Sequence, residues 1–433
     1  SWHHHPDALQ KTTLDDGCYS GGAFVDADGC AYLSFWIYNA ERENTPAFHT
    51  GICIARATPP LYETWERLSP CVIPSKEWGV AYLNGNPIAC ADPSNIWKFN
   101  GLYHLQAGNL LLLNQYGRQL NSPEDMRGDW TEHFTSVDLL HWEYQGRFYQ
   151  RNRSNEWTQP DEDAMCACFL PLPTSSEGSE ASCVWLQLFL SHNRGCQYYL
   201  GYYDGTYFTP SSHGRMTYTD SSFFAPEAWL DVHGRQLMLC WMKDNPVNDF
   251  ARFGWSGVFS LPRTLWLSNG KLCMRPVPEL HALRGIHTVY ASDILSEKSV
   301  ILMVNTPFAC ELHFIILPGQ NRSLSLTIAG EYATNQYACA SINTQKNLLS
   351  FETTWRQGVL LPCEHAPLII DDKDEINVTV YIDRSILEIF ANDSQALCRR
   401  FYPPVDLKPI LSISGQGNIS LMESWLMNPL GTE

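Results

Sequence analysis

Asp26-Ala27-Asp28-Gly29 leads into the apolar stretch Ala31-Tyr32-Leu33, and the same order of residue types returns three times. Phe99-Asn100-Gly101 precedes Leu102-Tyr103-His104, Ser176-Glu177-Gly178 precedes Val184-Trp185-Leu186, and Asp231-Val232-His233-Gly234 precedes Gln236-Leu237-Met238. The glycines lie 72, 77 and 56 residues apart. A second element keeps a similar period: Thr64-Trp65-Glu66 and His141-Trp142-Glu143 are 77 residues apart, and Trp2-His3 lies 63 before Trp65. A polar turn closed by Gly ahead of an apolar run is a hairpin signal. A repeat of about 60–75 residues has room for four strands with long connections, which is a propeller blade. Hairpins of a sandwich would give the same local pattern, but without the period.

The rest of the chain also reads as all-β. Short apolar or alternating runs, such as Gly51–Ala57, Val184–Leu190, Ile376–Ile382 and Ser385–Phe390, are cut by Gly, Asn and Asp. Pro278–Arg284 alone has a helical pattern, about two turns long. No apolar run approaches the ~18 residues of a membrane span. With 29 basic and 46 acidic residues the net charge is −17, and no basic stretch offers a surface for phosphate backbones. A neutral small molecule is the partner this balance suits, and 15 Trp, 20 Tyr and 19 Phe beside the acids would suit a sugar.

Fifteen cysteines cannot all pair within one chain. Most stand singly inside strand-like runs, as Cys53, Cys240 and Cys339 do, and read as buried thiols. Cys166 and Cys168 form C-x-C with no second pair at zinc spacing, and His3, His4 and His5 lack a partner motif, so no metal or cofactor site is read. Scattered thiols favour the cytoplasm, whereas five N-x-[ST] sequons, beginning at Asn152, Asn321, Asn377, Asn392 and Asn418, keep secretion open.

Acids precede each Gly turn by 9 to 16 residues: Asp16, Asp92, Glu162 with its neighbours Asp161 and Asp163, and Asp220. If the first strand of every blade lines the axis, such acids converge on one funnel, so Asp92, Glu162, Tyr19 and Asp220 are expected around a single pocket. Two convergent carboxyls, one protonated and one ionised, are what glycosidic cleavage needs. Asp is also a turn residue, so turn capping is the competing explanation.

These segments carry a family resemblance. Asp16-Gly17-Cys18-Tyr19-Ser20-Gly21 resembles the D-G-C-[FW]-S-G segment of glycoside hydrolase family 32, the invertases, inulinases and levanases. Cys90-Ala91-Asp92-Pro93 followed by Ile96-Trp97 is similar to R-D-P-x-V-W, and Glu162 through Phe169 to E-D-x-x-C-P-x-F-F. Asp220 to Ala225 resembles D-x-G-x-F-Y-A, with Phe224 in place of Tyr. Gly254-Trp255-Ser256-Gly257, Leu261-Pro262-Arg263 and Arg275-Pro276-Val277-Pro278-Glu279-Leu280 resemble G-W-[AS]-G, L-P-R and R-P-V-P-E-L. Tyr381-Ile382-Asp383-Arg384-Ser385 with Leu387-Glu388-Ile389-Phe390-Ala391-Asn392-Asp393 is similar to V-D-R-S-x-V-E-V-F-x-N-D of the family's second domain.

The resemblance implies a five-bladed β-propeller over residues 1–276, its first blade incomplete, a linker over 277–290 and a β-sandwich over 291–433. It also implies retaining cleavage of terminal β-fructosyl units of sucrose or fructans through a covalent fructosyl-enzyme. Asp92 then stabilises the transition state and Glu162 is the acid/base, while Tyr19, Ser20, Asp220 and Phe224 bind the substrate. A gap-free match to the commoner E-C-P-D form would instead set Met165 at the acid/base position. Two departures stand out. The W-M-N-D-P-N-G segment that carries the family's nucleophile has no counterpart in these residues, and neither Asp7 nor Asp244 of Trp241-Met242-Lys243-Asp244-Asn245-Pro246 is suitably placed to replace it. Ala91 stands where the family has Arg, a loss of several charge-assisted donors. A fructosidase whose N-terminal piece lies outside this sequence is thus one expectation, and a fructoside-binding propeller without turnover the other. A related five-bladed arabinoside hydrolase is disfavoured by Asp383-Arg384-Ser385.

Overall fold

All four repeat glycines, Gly29, Gly101, Gly178 and Gly234, sit at positive φ (84°, 81°, 91° and 74°), where a side chain would be strained. Each closes a turn between antiparallel strands, and this is the physical content of the repeat. The computed structural model describes residues 5–12, 15–38, 50–149, 156–244, 254–291, 299–304, 308–329, 336–353, 363–401 and 409–429. His3, His4 and the sequon residue Asn152 lie outside them; His5 is exposed.

Among the described residues four sheets of four or five strands follow one another along the chain, each built from contiguous sequence. They span Cys18–Pro74, Ala91–Arg147, Met165–Arg215 and Phe223–Pro276, and are four blades of a β-propeller, where five are expected; no fifth sheet of four strands lies ahead of the sandwich among the described residues. The first strands of the four blades, Cys18–Val25, Ala91–Pro93, Met165–Pro173 and Phe223–Leu230, occupy a sheet end, and each lies against the first strand of the next blade. The axis is therefore lined by first strands.

Two six-stranded antiparallel sheets complete the chain as a β-sandwich. Strand Ser323–Ala329 buries every second side chain, Leu324, Leu326 and Ile328, against Phe314, Val378, Val380 and Leu387 from the facing sheet. The stretch expected as a linker over 277–290 is mostly structured. Pro278–Leu283 forms a 3-10 turn, and Arg284–Val289 pairs with Ile419–Met427 as an edge strand of the sandwich. Arg284 fixes that edge by a two-point ion pair to buried Glu311.

The seam between propeller and sandwich explains several motifs that have no place in the chemistry. Buried Glu388 accepts from the Arg263 guanidinium and from Leu261 N, both at 2.6 Å. The Arg263 guanidinium also lies between the rings of Phe223 and Phe390. Arg275 pairs with Asp393, and Met274 N bonds Asp393 O at 2.8 Å. Blade four and the sandwich share one apolar cluster, with Met238, Cys240 and Met242 against Tyr381, Phe390 and Cys398. Because Arg263 and Glu388 are almost wholly excluded from water, removing one charge leaves the other unpaired. Glu388→Gln is expected to cost about 3–5 kcal/mol, and Arg263→Met/Glu388→Leu together much less. Urea unfolding followed by Trp fluorescence checks both.

Candidate active site

Each first strand carries one extra residue against its neighbour. Cys18 and Gly21 face Ile37 and Phe35; Ala91 and Pro93 face Gly108 and Ala107; Met165 and Cys168 face Leu190 and Leu188; Phe224 and Glu227 face Trp241 and Leu239. These are β-bulges at one level of the propeller, and a bulge re-aims the side chain it carries. Three of the bulged residues have positive φ: Asp92 at 43°, Cys166 at 45° and Ala225 at 46°. No glycine takes up this strain, a pattern that clusters where chemistry fixes the side chain.

The bulges bring several expected residues together. The Cys166 thiol lies 3.6 Å from Asp92 Oδ2, and the Ser20 hydroxyl also bonds the Asp92 carboxylate. Ala91, Met165, Phe224, Leu190 and Trp36 form one apolar cluster around this level, with Tyr19 packed on Trp36 at 5.4 Å between centroids. Burial pushes the Asp92 carboxyl up to about 6, although Cys166, the His192 charge and Ser20 favour ionisation. Tyr19, Ser20, Asp92 and Phe224 thus share one axial site.

Glu162 and Asp220 are placed differently, because they precede the bulges of their blades by several residues. Glu162 is fully buried and its carboxylate is taken by Arg215 at 2.8 and 3.0 Å, Gln197 at 2.9 Å and Gln159 N at 2.9 Å. Burial opposes its ionisation, but the Arg215 hydrogen bonds and charge prevail and hold it below the usual range. That is the setting of an ionised carboxylate, the reverse of what a general acid needs. Asp220 faces the sandwich, paired with Arg399 and bonded by Ser222 N at 2.9 Å. Burial would raise its carboxyl; the Arg399 charge and Ser222 outweigh it and bring the net value down. Asp244 likewise serves the seam, bonded by Gly257 N at 2.6 Å and Arg400 at 2.9 Å, and Asp7 is exposed.

Other residues complete the site. Asp163, next to Glu162, accepts from His192 N at 3.0 Å and contacts its Nδ1 at 2.8 Å. His192 stands edge-on to Phe224, and the Asp163 charge opposes ionisation of Asp92. Two residues past the blade-four bulge, Glu227 is pushed by burial up to about 8. Asp163 lay inside a quoted motif but behind the more attractive Glu162; His192 sits in a turn with no sequence signal. Among the described residues no group of three or more His, Cys, Asp or Glu is arranged to hold a metal ion, and no helix is long and apolar enough to cross a membrane.

Comparison with known proteins accords with this architecture. Residues 1–276 match the glycosyl hydrolases family 32 N-terminal domain, and residues 297–425 the family 32 C-terminal domain. Raffinose invertase of Escherichia coli is 26% identical over 217 residues, covering 47% of this chain and 42% of its own length. Levanase of Bacillus subtilis is 25% identical over 326 residues, covering 69% of this chain and 46% of its own length. The chain thus spans about half the length of these curated relatives. Sucrose-6-phosphate hydrolase of Bacillus subtilis aligns at 24% identity over 97% of this chain and 82% of its own. Among solved structures, fructan 1-exohydrolase IIa of Cichorium intybus in complex with 1-kestose superposes with a TM-score of 0.74 at 18% identity, covering 99% of this chain and 87% of that one. Two matched domains covering most of the sequence, on a propeller followed by a sandwich, identify the chain as a member of glycosyl hydrolase family 32.

Proposed function

We propose that the axial site recognises the terminal β-fructosyl unit of sucrose or a fructan and serves β-fructofuranosidase-type cleavage. The observation that carries this reading is Asp92: a carboxyl held on a strained bulge, within reach of Ser20 and Cys166 and walled by Tyr19, Trp36 and Phe224. A carboxylate so oriented accepts hydrogen bonds from vicinal sugar hydroxyls, and such bonds strengthen as positive charge develops on the ring. The aromatic walls cover the apolar C–H faces of the sugar. In this reading Asp92 is the transition-state stabiliser, and Tyr19, Ser20 and Phe224 line the fructosyl pocket.

A second reading, fructoside binding without turnover, is favoured by one observation. Glu162 is engaged by Arg215, and the buried thioether of Met165 stands beside the blade-three bulge instead of a carboxyl. Fructose release from sucrose and inulin, measured beside calorimetric binding of fructose, separates the two. Release that Asp92→Asn abolishes supports cleavage. Binding that Asp92→Asn weakens, with no release, supports the second reading. Neither binding nor release overturns both.

Two further outcomes are expected. The folded-state value of Asp92 lies above its ordinary 3.8, so its stabilising contribution fades as pH rises from about 4 through about 6. Asp92→Asn should therefore stabilise the free protein at pH 7 by about 1–3 kcal/mol, and by little at pH 4. Fructoside binding, which uses the ionised carboxylate, should weaken as pH falls below about 6. Glu162 behaves in the opposite sense: its value is lowered from 4.5, so its contribution is complete above about pH 5 and is lost as pH falls through the folded value. Glu162→Gln should cost about 3 kcal/mol at pH 7, because Arg215 is left without its charge partner. Chemical denaturation across pH 4–7 reads both variants.

A further inference from the structure

Blade one holds two thiols in contact. Cys53 Sγ and Cys71 Sγ are 3.8 Å apart, and both cysteines are free. Leu68 N bonds Ile54 O at 2.9 Å and Val72 N bonds Ile52 O at 2.8 Å. Between these two bonds Cys53 alone faces Ser69, Pro70 and Cys71. The extra residues let Cys71 shift toward Cys53 while the flanking bonds stay closed. On its other side Cys53 is paired with Phe35, in an inner strand of the blade. One thiol is therefore fixed and the other sits on slack chain, on neighbouring segments of one sheet, a separation that a disulfide spans.

The two thiols are not equivalent. Cys53 is wholly buried, and its thiol donates toward Pro70 O at 2.6 Å and toward Cys71 Sγ. Cys71 is half-buried. The hydrogen bond from Cys53 holds the Cys71 thiol below its ordinary value; burial opposes this and the Arg67 charge assists it. The same contact, with burial, pushes Cys53 up. Arg67 also bonds Asp15 at 2.8 Å, Gln10 O at 3.0 Å and Cys18 Sγ at 3.3 Å. Burial nevertheless raises Cys18, so a nearby guanidinium is not enough to favour a thiolate here. Burial likewise pushes Cys90 and Cys310 up to about 12. A thiol with thiolate character and a second thiol in contact is the arrangement that oxidises readily and reversibly.

We propose that Cys71 and Cys53 form a peroxide-reactive dithiol, with Cys71 the attacking sulfur and Cys53 the resolving one. The oxidant is hydrogen peroxide, small enough to reach a half-buried sulfur. The Cys71 thiolate attacks one peroxide oxygen. An S–O bond forms, the O–O bond breaks, and the hydroxide that leaves takes up the proton Cys71 released. The Cys53 sulfur then attacks the Cys71 sulfenic acid. An S–S bond forms, the S–O bond breaks, and the hydroxyl leaves as water with the Cys53 proton. Two thiols and one peroxide thus give one disulfide and two waters; the sulfurs lose two electrons and the peroxide gains them. Fructoside recognition plays no part in this chemistry.

Peptide mapping of the full chain tests this. The reduced protein is treated with equimolar hydrogen peroxide, its remaining thiols are alkylated, and it is digested with trypsin without reductant. Arg56 and Arg67 place Cys53 and Cys71 in separate tryptic peptides. These two peptides are expected to be joined, and dithiothreitol to release them. The joined pair should form at least tenfold faster in the folded chain than in the chain unfolded in urea. Cys53→Ser should leave Cys71 as a sulfenic acid that dimedone captures, and Cys71→Ser should leave Cys53 unoxidised. Circular dichroism establishes that the variants are folded; should either fail to fold, the map and the rates of the unaltered chain decide alone. Cys183, the exposed cysteine of blade three, controls for exposure. Oxidation of Cys183 ahead of Cys71, or no joined pair in the folded chain, overturns the dithiol. Cys71 joined to Cys18 overturns the assigned resolving partner.

Discussion

Among the described residues neighbouring blades share no backbone ladder, so polar groups of their first strands take some of their partners from side chains. A relay of buried contacts supplies them. Ser34 Oγ donates to Ser94 O at 2.6 Å, from blade one to blade two. Asn95 takes Phe169 N at 2.8 Å and gives to Phe169 O at 3.1 Å, from blade two to blade three, as a strand neighbour would. The Cys168 thiol donates to Ala228 O at 3.1 Å, from blade three to blade four. Deeper in the blades, the amides of Gln106 and Gln187 bond each other in both directions, and Thr131 closes that pair. Each bond is short, buried and directional, so it fixes the height of one blade against the next as well as holding it. The axial site depends on that registration, since its residues come from separate sheets.

Given registered blades, one bulge per first strand is enough to build the site. The bulge sets Tyr19, Asp92, Cys166 and Ala225 at equivalent places, and only one of these is an acid. The glycine repeat was legible in the sequence because each Gly meets a local demand, a positive φ in a turn. The register of the acids was not, because a bulge leaves no residue type behind: Asp, Cys and Ala all hold the same strained position. Counting back from the turn therefore reaches Asp92, which sits on a bulge, as well as Glu162 and Asp220, which lie ahead of their bulges and pair with Arg215 and Arg399.

The same distinction separates motifs from roles elsewhere. Arg263, Arg275, Glu388 and Asp393 were visible as parts of family-like segments, yet nothing in their spacing said that they meet one another across more than a hundred residues. Asp163 and His192 depend on a turn packing onto a neighbouring segment. Local geometry is written in residue types; the meeting of distant loops follows only once the blades are stacked. Cys168 shows the limit from the other side. The lack of a zinc partner argues only against a metal site there; that the thiol donates a hydrogen bond between blades is a structural role that the spacing does not specify.

In the proposed function, bulged first strands aim Asp92 and its neighbours at a fructosyl ring on the propeller axis. A crystal structure of the chain soaked with fructose tests it most directly. A ring hydroxyl pair is expected within hydrogen-bond distance of the Asp92 carboxylate, with the ring covered by Tyr19 and Phe224 and the Glu162–Arg215 pair intact. Fructose bound to Glu162 with Arg215 displaced, or bound on an outer blade face with Asp92 untouched, would contradict it.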